Sequence, residues 1–351
     1  MKRIFELCVF VLSVLGKSAV TVEESKLPTG ALVRLATPET WKGQVAFLAH
    51  GYMPEDYPLY AYFGLEDEPQ KTLLDAGWAV ASSSYRRNGP IVADAMDDMM
   101  DLVSWVEGKL GEPKTQILVG GSMGGAITAR LLEAQPGEFD GAFIMSNAIY
   151  FKEDGNPLAP IQHQPGVPVV LLTNVDEVAV PRAYATVAGA QGGLEPLLLI
   201  VGREGHMAYN EVEYAQAVGA LMTWLETGER PVLGEDVTAE TEEPASTSVF
   251  TDGAASNEII RIDPVYGNFV GGFTPSDMAQ LGLEVGDKFT LTVDGAQHEI
   301  TYGTTYSDVP VGDWVAFVSQ NKRILFCINF GQAARALGLE IGDVLSLARV
   351  D

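Results

Sequence analysis

Cysteine is almost missing: the 351 residues hold only Cys8 and Cys327. Neither a disulfide framework nor a cysteine-ligated metal site can be built from two such residues. Basic side chains are scarce as well. Lys and Arg total 22 against 47 Asp and Glu, a net charge of −25. That balance argues against nucleic acid, whose phosphates are neutralised by Lys and Arg, and against docking on an anionic membrane surface. Past the N-terminus no apolar run is long enough to cross a bilayer. Histidine occurs four times, so chemistry that needs an imidazole has few candidates. What is present is core material: 47% of residues are hydrophobic and 9% aromatic, which excludes wholesale disorder. The length suits two domains.

The first residues have the pattern of a leader. Met1-Lys2-Arg3 is basic, Ile4–Leu15 is mostly apolar, and Gly16, Ser18 and Ala19 are small. This reads as a signal peptide over residues 1–19, and hence as a secreted or periplasmic protein whose mature chain keeps one thiol. The competing reading is an ordinary first strand or helix.

Residues 20–230 alternate short apolar runs with helical patterns, the signature of a mostly parallel sheet with crossover helices. Strands are expected at Val45–Ala49, Trp78–Ser83, Gln116–Gly120, Gly141–Ser146, Val167–Thr173 and Leu197–Val201. Helices are expected at Ile91–Lys109, Ser122–Gln135 and Ala208–Thr227. Asp94, Asp97, Asp98 and Asp101 fan too widely over the first helix to form a metal cluster and read as a solvated face. Residues 231–249 read as an acidic linker, with GEDVTAETEEPASTS at Gly234–Ser248. Residues 250–351 are rich in strand patterns and contain an internal echo. Leu281-Gly282-Leu283-Glu284-Val285-Gly286-Asp287 recurs as Leu337-Gly338-Leu339-Glu340-Ile341-Gly342-Asp343, which suggests a small pseudo-symmetric barrel.

The chemistry sits in the first domain. Gly120-Gly121-Ser122-Met123-Gly124 contains G-x-S-x-G between an apolar strand and a helix. A sharp turn there lifts a serine hydroxyl above the sheet. Among the four histidines, His206 alone lies late enough in the chain to follow both nucleophile and acid; His50 reads as structural. The orienting acid should follow the Val167–Thr173 strand, where Asp176 is preferred and its neighbour Glu177 competes. In these roles Ser122 is the nucleophile, His206 the general base and then acid, and Asp176 the group holding the imidazole tautomer. The oxyanion donors are expected from the Met123 N–H and from the loop after Val45–Ala49, at Tyr52.

His50-Gly51, Gly120-x-Ser122-x-Gly124, Asp176 and Gly205-His206 resemble the α/β-hydrolase superfamily over about residues 27–229. That resemblance implies an α/β-hydrolase fold, a mostly parallel sheet with helices on both faces, followed here by a second, smaller β-barrel domain. It implies a carboxylesterase-type serine hydrolase working through an acyl-enzyme, with no metal and no organic cofactor. Tyr52 with Met123 also looks like the oxyanion pair of cutinase-like polyester hydrolases. Ala79–Asn88 (AVASSSYRRN) resembles a strand and loop of esterase-like members, bringing Tyr85, Arg86 and Arg87 to the border of the site or packing them on acidic neighbours. Only about twenty residues separate Ser146 from Val167, where many relatives insert a helical cap. An open cleft is therefore expected, suited to short-chain, aryl, feruloyl-type or polymeric esters. A serine peptidase on the same fold is an alternative.

Ile262–Val270, Thr305–Gly312 and Asn329–Asp343 resemble the C-terminal β-barrel of SAM hydroxide adenosyltransferases and fluorinases, over about residues 257–349. In that family the barrel supplies adenine contacts at a subunit interface. By position Tyr266, Asn268, Val270 and Phe330 would line an adenine pocket, with Asn268 bonding the base. The catalytic N-terminal half of that family has no counterpart here. The barrel is therefore expected first as a homo-oligomerisation or docking module, then as a weak ligand-binding module. An adenosine- or SAM-binding protein with a vestigial hydrolase is the remaining alternative.

Overall fold

The computed structural model describes residues 9–12, 19–61, 63–146, 152–153, 156–264 and 266–350. The chain divides into two units, Met1–Ala239 and Glu240–Asp351. In the first unit, β1 (Val9–Leu12), β2 (Val20–Lys26) and β3 (Leu32–Pro38) run antiparallel, and β3 pairs antiparallel with β5 (Ala79–Ser83). From β5 the sheet continues in parallel through β4 (Gln44–Ala49), β6 (Thr115–Gly121), β7 (Gly141–Met145), β10 (Val169–Asn174) and β11 (Leu197–Val201). A hairpin of β8 (Lys152–Glu153) and β9 (Asn156–Pro157) lies between β7 and β10 in the chain.

Among the described residues, five helices complete the unit: α1 (Gln70–Asp75), α2 (Val92–Leu110), α3 (Met123–Ala134), α4 (Ala179–Ala190) and α5 (Glu211–Thr227). The parallel strands read as unbroken apolar runs because both faces are covered. Phe47 and Ala49 of β4 pack with Met99 and Leu102 of α2, Ile127 and Leu131 of α3 and Tyr184 of α4. Ala46 and Leu48 face the other way, toward Leu73 and Leu74 of α1 and Leu221 and Trp224 of α5. This is the α/β-hydrolase arrangement. Strand order reverses around β4, which opens a crevice beyond the carboxyl ends of β4 and β6.

Several sequence expectations change. Val20–Lys26 and Leu32–Pro38 lie outside the expected strands, yet they form the antiparallel flank of the sheet, with buried and exposed positions largely alternating. Helix α4 likewise lies outside the expected helices; its Pro181 is in the first turn, where no amide is needed. Of the segment read as a leader, Val9–Leu12 pairs with β2, and residues 1–8 and 13–18 lie outside the described residues. Asp98 is not part of a solvated face. It is fully buried and accepts from the Arg86 backbone N–H at 2.7 Å and from Arg86 Nε at 3.0 Å, so one acid in that series is an internal anchor.

The acidic stretch is only partly a tether. Ile200 N–H donates to Glu235 O and Val237 N–H donates back to Ile200 O, so this segment runs alongside β11. Val237 is buried, Glu235 pairs with Arg182, and Asn210 Nδ2 donates to Ala239 O. Further on, Ser276 N–H donates to Glu243, while Ser246 and Ser248 donate to Asp277. A composition that reads as solvated spacer also supplies hydrogen-bond partners, and here most of them are used.

The second unit contains β12 (Val249–Thr251), β13 (Ala254–Ile262), β14 (Phe269–Gly271), α6 (Pro275–Gln280), β15 (Lys288–Val293), β16 (Ala296–Tyr302), β17 (Trp314–Val318), β18 (Ile324–Ile328), α7 (Ala333–Leu337) and β19 (Val344–Arg349). The order β13-β14-β18-β17-β16-β15-β19 closes on itself through β13–β19 pairing, giving a seven-stranded barrel with β12 appended. The sequence echo is a structural repeat. Each copy leaves a short helix through a left-handed glycine, Gly282 or Gly338. Asp287 and Asp343 then accept the backbone N–H of Glu284 and Glu340, and the strands that follow, β15 and β19, pair with each other.

The Arg86–Asp98 pair gives a stability test. Arg86→Ala leaves a buried carboxylate held only by a backbone amide and is expected to cost about 2–3 kcal/mol. Arg87→Ala breaks only the exposed contact to Asp94 and is expected to cost less than about 0.5 kcal/mol. Urea titration followed by intrinsic fluorescence measures both.

Candidate active site

Strand β6 ends at Gly121, and the chain reverses into α3 through Ser122, which sits at φ 54°, ψ −123°. A non-glycine residue in this region costs of order 1–3 kcal/mol and persists only where its surroundings impose it. Here the Ser122 N–H donates to Met145 O of β7, and its carbonyl accepts from Gly125 N–H at 2.9 Å. Gly124 has no room for a side chain, whereas a side chain on Gly121 would meet the movable end of Met207. A Cβ on Gly124 would lie 1.9 Å from Ala49 O, and one on Gly121 would lie 2.6 Å from Met207 Cε. The first contact brings the loop after β4 against the N-terminus of α3. The second brings the segment after His206 against the Ser122 turn.

His206 follows β11, and its Nδ1 is 2.7 Å from Glu177 Oε1. The carboxylate beside the imidazole is therefore Glu177 and not the preferred Asp176. Asp176 accepts the Gly205 N–H at 3.1 and 3.2 Å through its two oxygens, fastening the loop that carries His206. Both acids lie in one 3-10 turn, Val175–Glu177, where consecutive side chains point about a third of a revolution apart. Adjacent residues thus take different jobs, and nothing in their identities says which. Burial pushes the Glu177 carboxyl up, but hydrogen bonding to His206 and the nearby Ser146 hydroxyl outweigh it and leave it below its ordinary value. No hydrogen bond joins Ser122 Oγ to His206 among the described residues; such bonds commonly tighten only when substrate is bound.

The support beneath His206 carries no motif in the sequence. Asn174, fully buried, donates through Nδ2 to Arg203 O and Ala208 O and accepts the Ala208 N–H. Arg203 pairs with buried Glu213, whose carboxylate also completes a capping box with Asn210 at the start of α5. Ser146 Oγ accepts the Met207 N–H at 3.1 Å and lies 2.6 Å from Tyr209 Oη.

On the other side, Met123 is the first residue of α3, so its N–H has no intrahelical acceptor. Tyr52 lies on the loop that Gly124 meets and is 38% exposed. The AVASSSYRRN stretch holds that loop. Tyr85 is fully buried, stacks on His50 with centroids 4.0 Å apart and donates to His50 O at 3.2 Å. Asn88 Nδ2 donates to Tyr57 O and Gly89 N–H donates to Met53 O. Arg86 and Arg87 pair with Asp98 and Asp94. His50 is a packing element: desolvation lowers its pKa, and its Nδ1 hydrogen-bonds Gly51 O at 2.7 Å. The segment after β7 is held down at both ends of its described part. Glu153 accepts the Ala93 N–H at the start of α2, and Glu133 accepts the N–H groups of Gln162 and Gln164.

In the barrel, Arg261, Asp263, Asn268, Val270, Tyr306 and Leu325 line a cavity of about 140 Å³. Asn268 and Val270 are among its lining residues, and Asn268 Nδ2 donates to Tyr306 Oη at 3.4 Å. Tyr266 and Phe330 do not line this cavity; they are 41% and 71% exposed. Among the described residues no group of three or more His, Cys, Asp or Glu could hold a metal ion.

Comparison with known proteins gives one family match and several similar structures. Residues 257–346 match the family model of the SAM hydroxide adenosyltransferase C-terminal domain. Solved structures similar to the chain include an esterase from Pyrococcus furiosus, with 14% identity and a TM-score of 0.43 over 62% of this chain and 91% of that one. Another is an esterase of the bacterial hormone-sensitive lipase family, with 18% identity and a TM-score of 0.46 over 59% of this chain and 84% of that one. An uncharacterized conserved protein from Thermotoga maritima is similar at 17% identity and a TM-score of 0.28; 39% of this chain is covered, and half the length of that protein. No curated protein matches.

The approach at Gly124 sets a packing test. Gly124→Ala is expected to destabilise the unit by at least about 3 kcal/mol, because the added methyl meets backbone and not a movable side chain. Gly108→Ala, where nothing lies within 4 Å, is expected to stabilise by about 0.5–1 kcal/mol. Thermal melts of the two variants make the comparison.

Proposed function

We propose that the first unit is a serine carboxylic ester hydrolase in which Ser122 is the nucleophile, His206 the general base and acid, and Glu177 the carboxylate that orients the imidazole. The reading rests on one observation above all. A serine is held at positive φ on a strand-to-helix turn, beside a loop whose histidine is paired through Nδ1 with a carboxylate. With Nδ1–H committed to Glu177, Nε2 is left to take the Ser122 proton as Oγ attacks the ester carbonyl carbon. The oxyanion that forms is stabilised by the Met123 N–H, aided by the N-terminus of α3, and by the Tyr52 N–H on the neighbouring loop. Collapse expels the alcohol, which takes the proton from His206. Water then repeats the sequence on the acyl-enzyme, releasing the acid and restoring Ser122. Every step uses side chains and amides of this chain.

The substrate is an ester presented at an open cleft: short-chain, aryl or feruloyl-type, or attached to a polymer such as a polyester. The segment between β7 and β10 lies against α2 and α3 through Glu153 and Glu133, which favours an uncapped site over a deep lipid tunnel. The barrel acts as an assembly or docking module.

p-Nitrophenyl butyrate and its matched p-nitroanilide provide the test. Ester turnover is expected, with amide turnover lower by several orders of magnitude; the reverse order makes the protein a peptidase. Ser122→Ala is expected to lower kcat by at least about 10³-fold, and Glu177→Gln by about 10³–10⁴-fold through loss of the correct tautomer. Asp176→Asn is expected to cost about tenfold or less, since it loosens a loop anchor. Turnover surviving in Ser122→Ala overturns the mechanism, and a larger loss in Asp176→Asn than in Glu177→Gln reverses the assignment of the acid.

A further inference from the structure

Packing does not hold the imidazole of the candidate site. The His206 side chain is half exposed, on a loop that runs from the end of β11 to the cap of α5. A misplacement of about 1 Å at such a group can cost on the order of 10²-fold in rate, so hydrogen bonds must fix the loop. Asp176 holds it at Gly205, and Asn174 holds it at Arg203 and Ala208. A further set of holds comes from Glu235–Ala239, well beyond α5 in the chain.

Two backbone bonds to Ile200 would be enough to close the free side of β11. The segment makes more contacts than that, and the additional ones reach the elements that carry the site. Thr238 Oγ1 passes its hydrogen to Asp236 and accepts the Gly202 N–H at 2.7 Å, at the root of the His206 loop. Glu235 accepts from Arg182 through both carboxylate oxygens. Arg182 lies on α4, which follows directly on the turn carrying Asp176 and Glu177. The Ala239 N–H donates to Glu213 Oε1 at 2.9 Å, and the Ala239 carbonyl accepts from Asn210 Nδ2 at 2.8 Å.

Burial decides which of these contacts matters most. The Arg182–Glu235 pair is about half exposed on both sides, and an exposed pair contributes little. Glu213 is fully buried, and three separate segments meet its two oxygens. Oε2 accepts the Asn210 N–H at 2.8 Å and the Arg203 guanidinium, while Oε1 accepts the Ala239 N–H. A buried carboxylate oxygen that loses its donor is costly. Glu213 therefore transmits the placement of Ala239 to Arg203, just before His206.

We propose that Glu235–Ala239 is a clamp on the His206–Glu177 pair. Glu213 and Thr238 are positioning residues for hydrolysis, setting the His206 loop against the turn of Glu177. The clamp touches no substrate. This inference rests on the esterase reading above.

The full chain carries the test: kcat and KM for p-nitrophenyl butyrate, with kcat referred to competent Ser122 counted by fluorophosphonate titration. Thr238→Val keeps the shape and the charge but removes the acceptor of the Gly202 N–H. It is expected to lower kcat about fivefold with KM unchanged, while Thr238→Ser, which keeps the oxygen, stays within about twofold of the unsubstituted chain. In Thr238→Val the acid limb of kcat/KM is also expected to move down by about a few tenths of a pH unit. His206 there loses part of the carboxylate contact that favours its protonated form. Glu213→Gln turns an amide N–H toward one of the three donors and is expected to lower kcat roughly thirtyfold. If Glu213→Gln folds poorly, the two Thr238 variants decide. An unchanged kcat or an unmoved acid limb in Thr238→Val overturns the clamp. So does a loss seen only as fewer titratable serines, or one that Thr238→Ser fails to restore. In each of those cases an inactive Ser122→Ala leaves the esterase reading intact. Turnover persisting in Ser122→Ala removes both.

Discussion

At Gly124 the first turn of α3 passes so near the end of β4 that a single methyl group would sit 1.9 Å from the Ala49 carbonyl oxygen. That approach joins three parts of the first unit. It lets β6 turn sharply enough to hold Ser122 at positive φ, and it sets the loop carrying Tyr52 against a helix N-terminus. It also lies where strand order reverses, the one place on such a sheet where a crevice opens without a separate device. The strain at Ser122 is offset by packing on either side, including the buried faces of Met123, Ala126 and Ile127.

The sequence displays this turn clearly, and the reason is physical. Glycines that must be glycine leave a pattern, and so do apolar strands covered on both faces. The antiparallel flank was not legible: VTVEESK and LVRLATP carry Glu, Arg, Lys and Thr at half-exposed positions and look like polar chain until paired. The choice between Asp176 and Glu177 was not legible either. A 3-10 turn separates two chemically similar neighbours by direction alone, and direction is not written in composition. Ser146, Asn174 and Tyr209 left no signal, because a polar residue ending a strand looks like any loop entry. Their importance comes from what three distant segments bring beside them.

The second unit offers the converse case. Its repeated heptapeptide was visible as letters, and each copy builds the same turn because glycine and aspartate perform local tasks there. The aspartate caps a neighbouring amide and the glycine takes a left-handed conformation. Local tasks survive translation from sequence to structure; long-range ones, such as which aromatic residues reach the barrel cavity, do so only in part. Cys327 belongs to this core. It is fully buried, its thiol is pushed up to about 12 by desolvation, and its Sγ donates to Val315 O. The one thiol among the described residues is thus a packing group and not a redox handle.

The segment from Glu235 to Ala239 bears on where the first unit ends. Strand β11 is the last in its sheet, and the backbone of Glu235–Val237 hydrogen-bonds its Ile200. A sheet margin left bare is a template for another chain and a common start of aggregation. A fragment of the first unit cut at Glu229 or Arg230, where helix and composition both suggest a border, would strip that guard and bare the Ile200 backbone. The first unit runs through Ala239, and the acidic stretch is in part the hem that keeps the fabric from fraying.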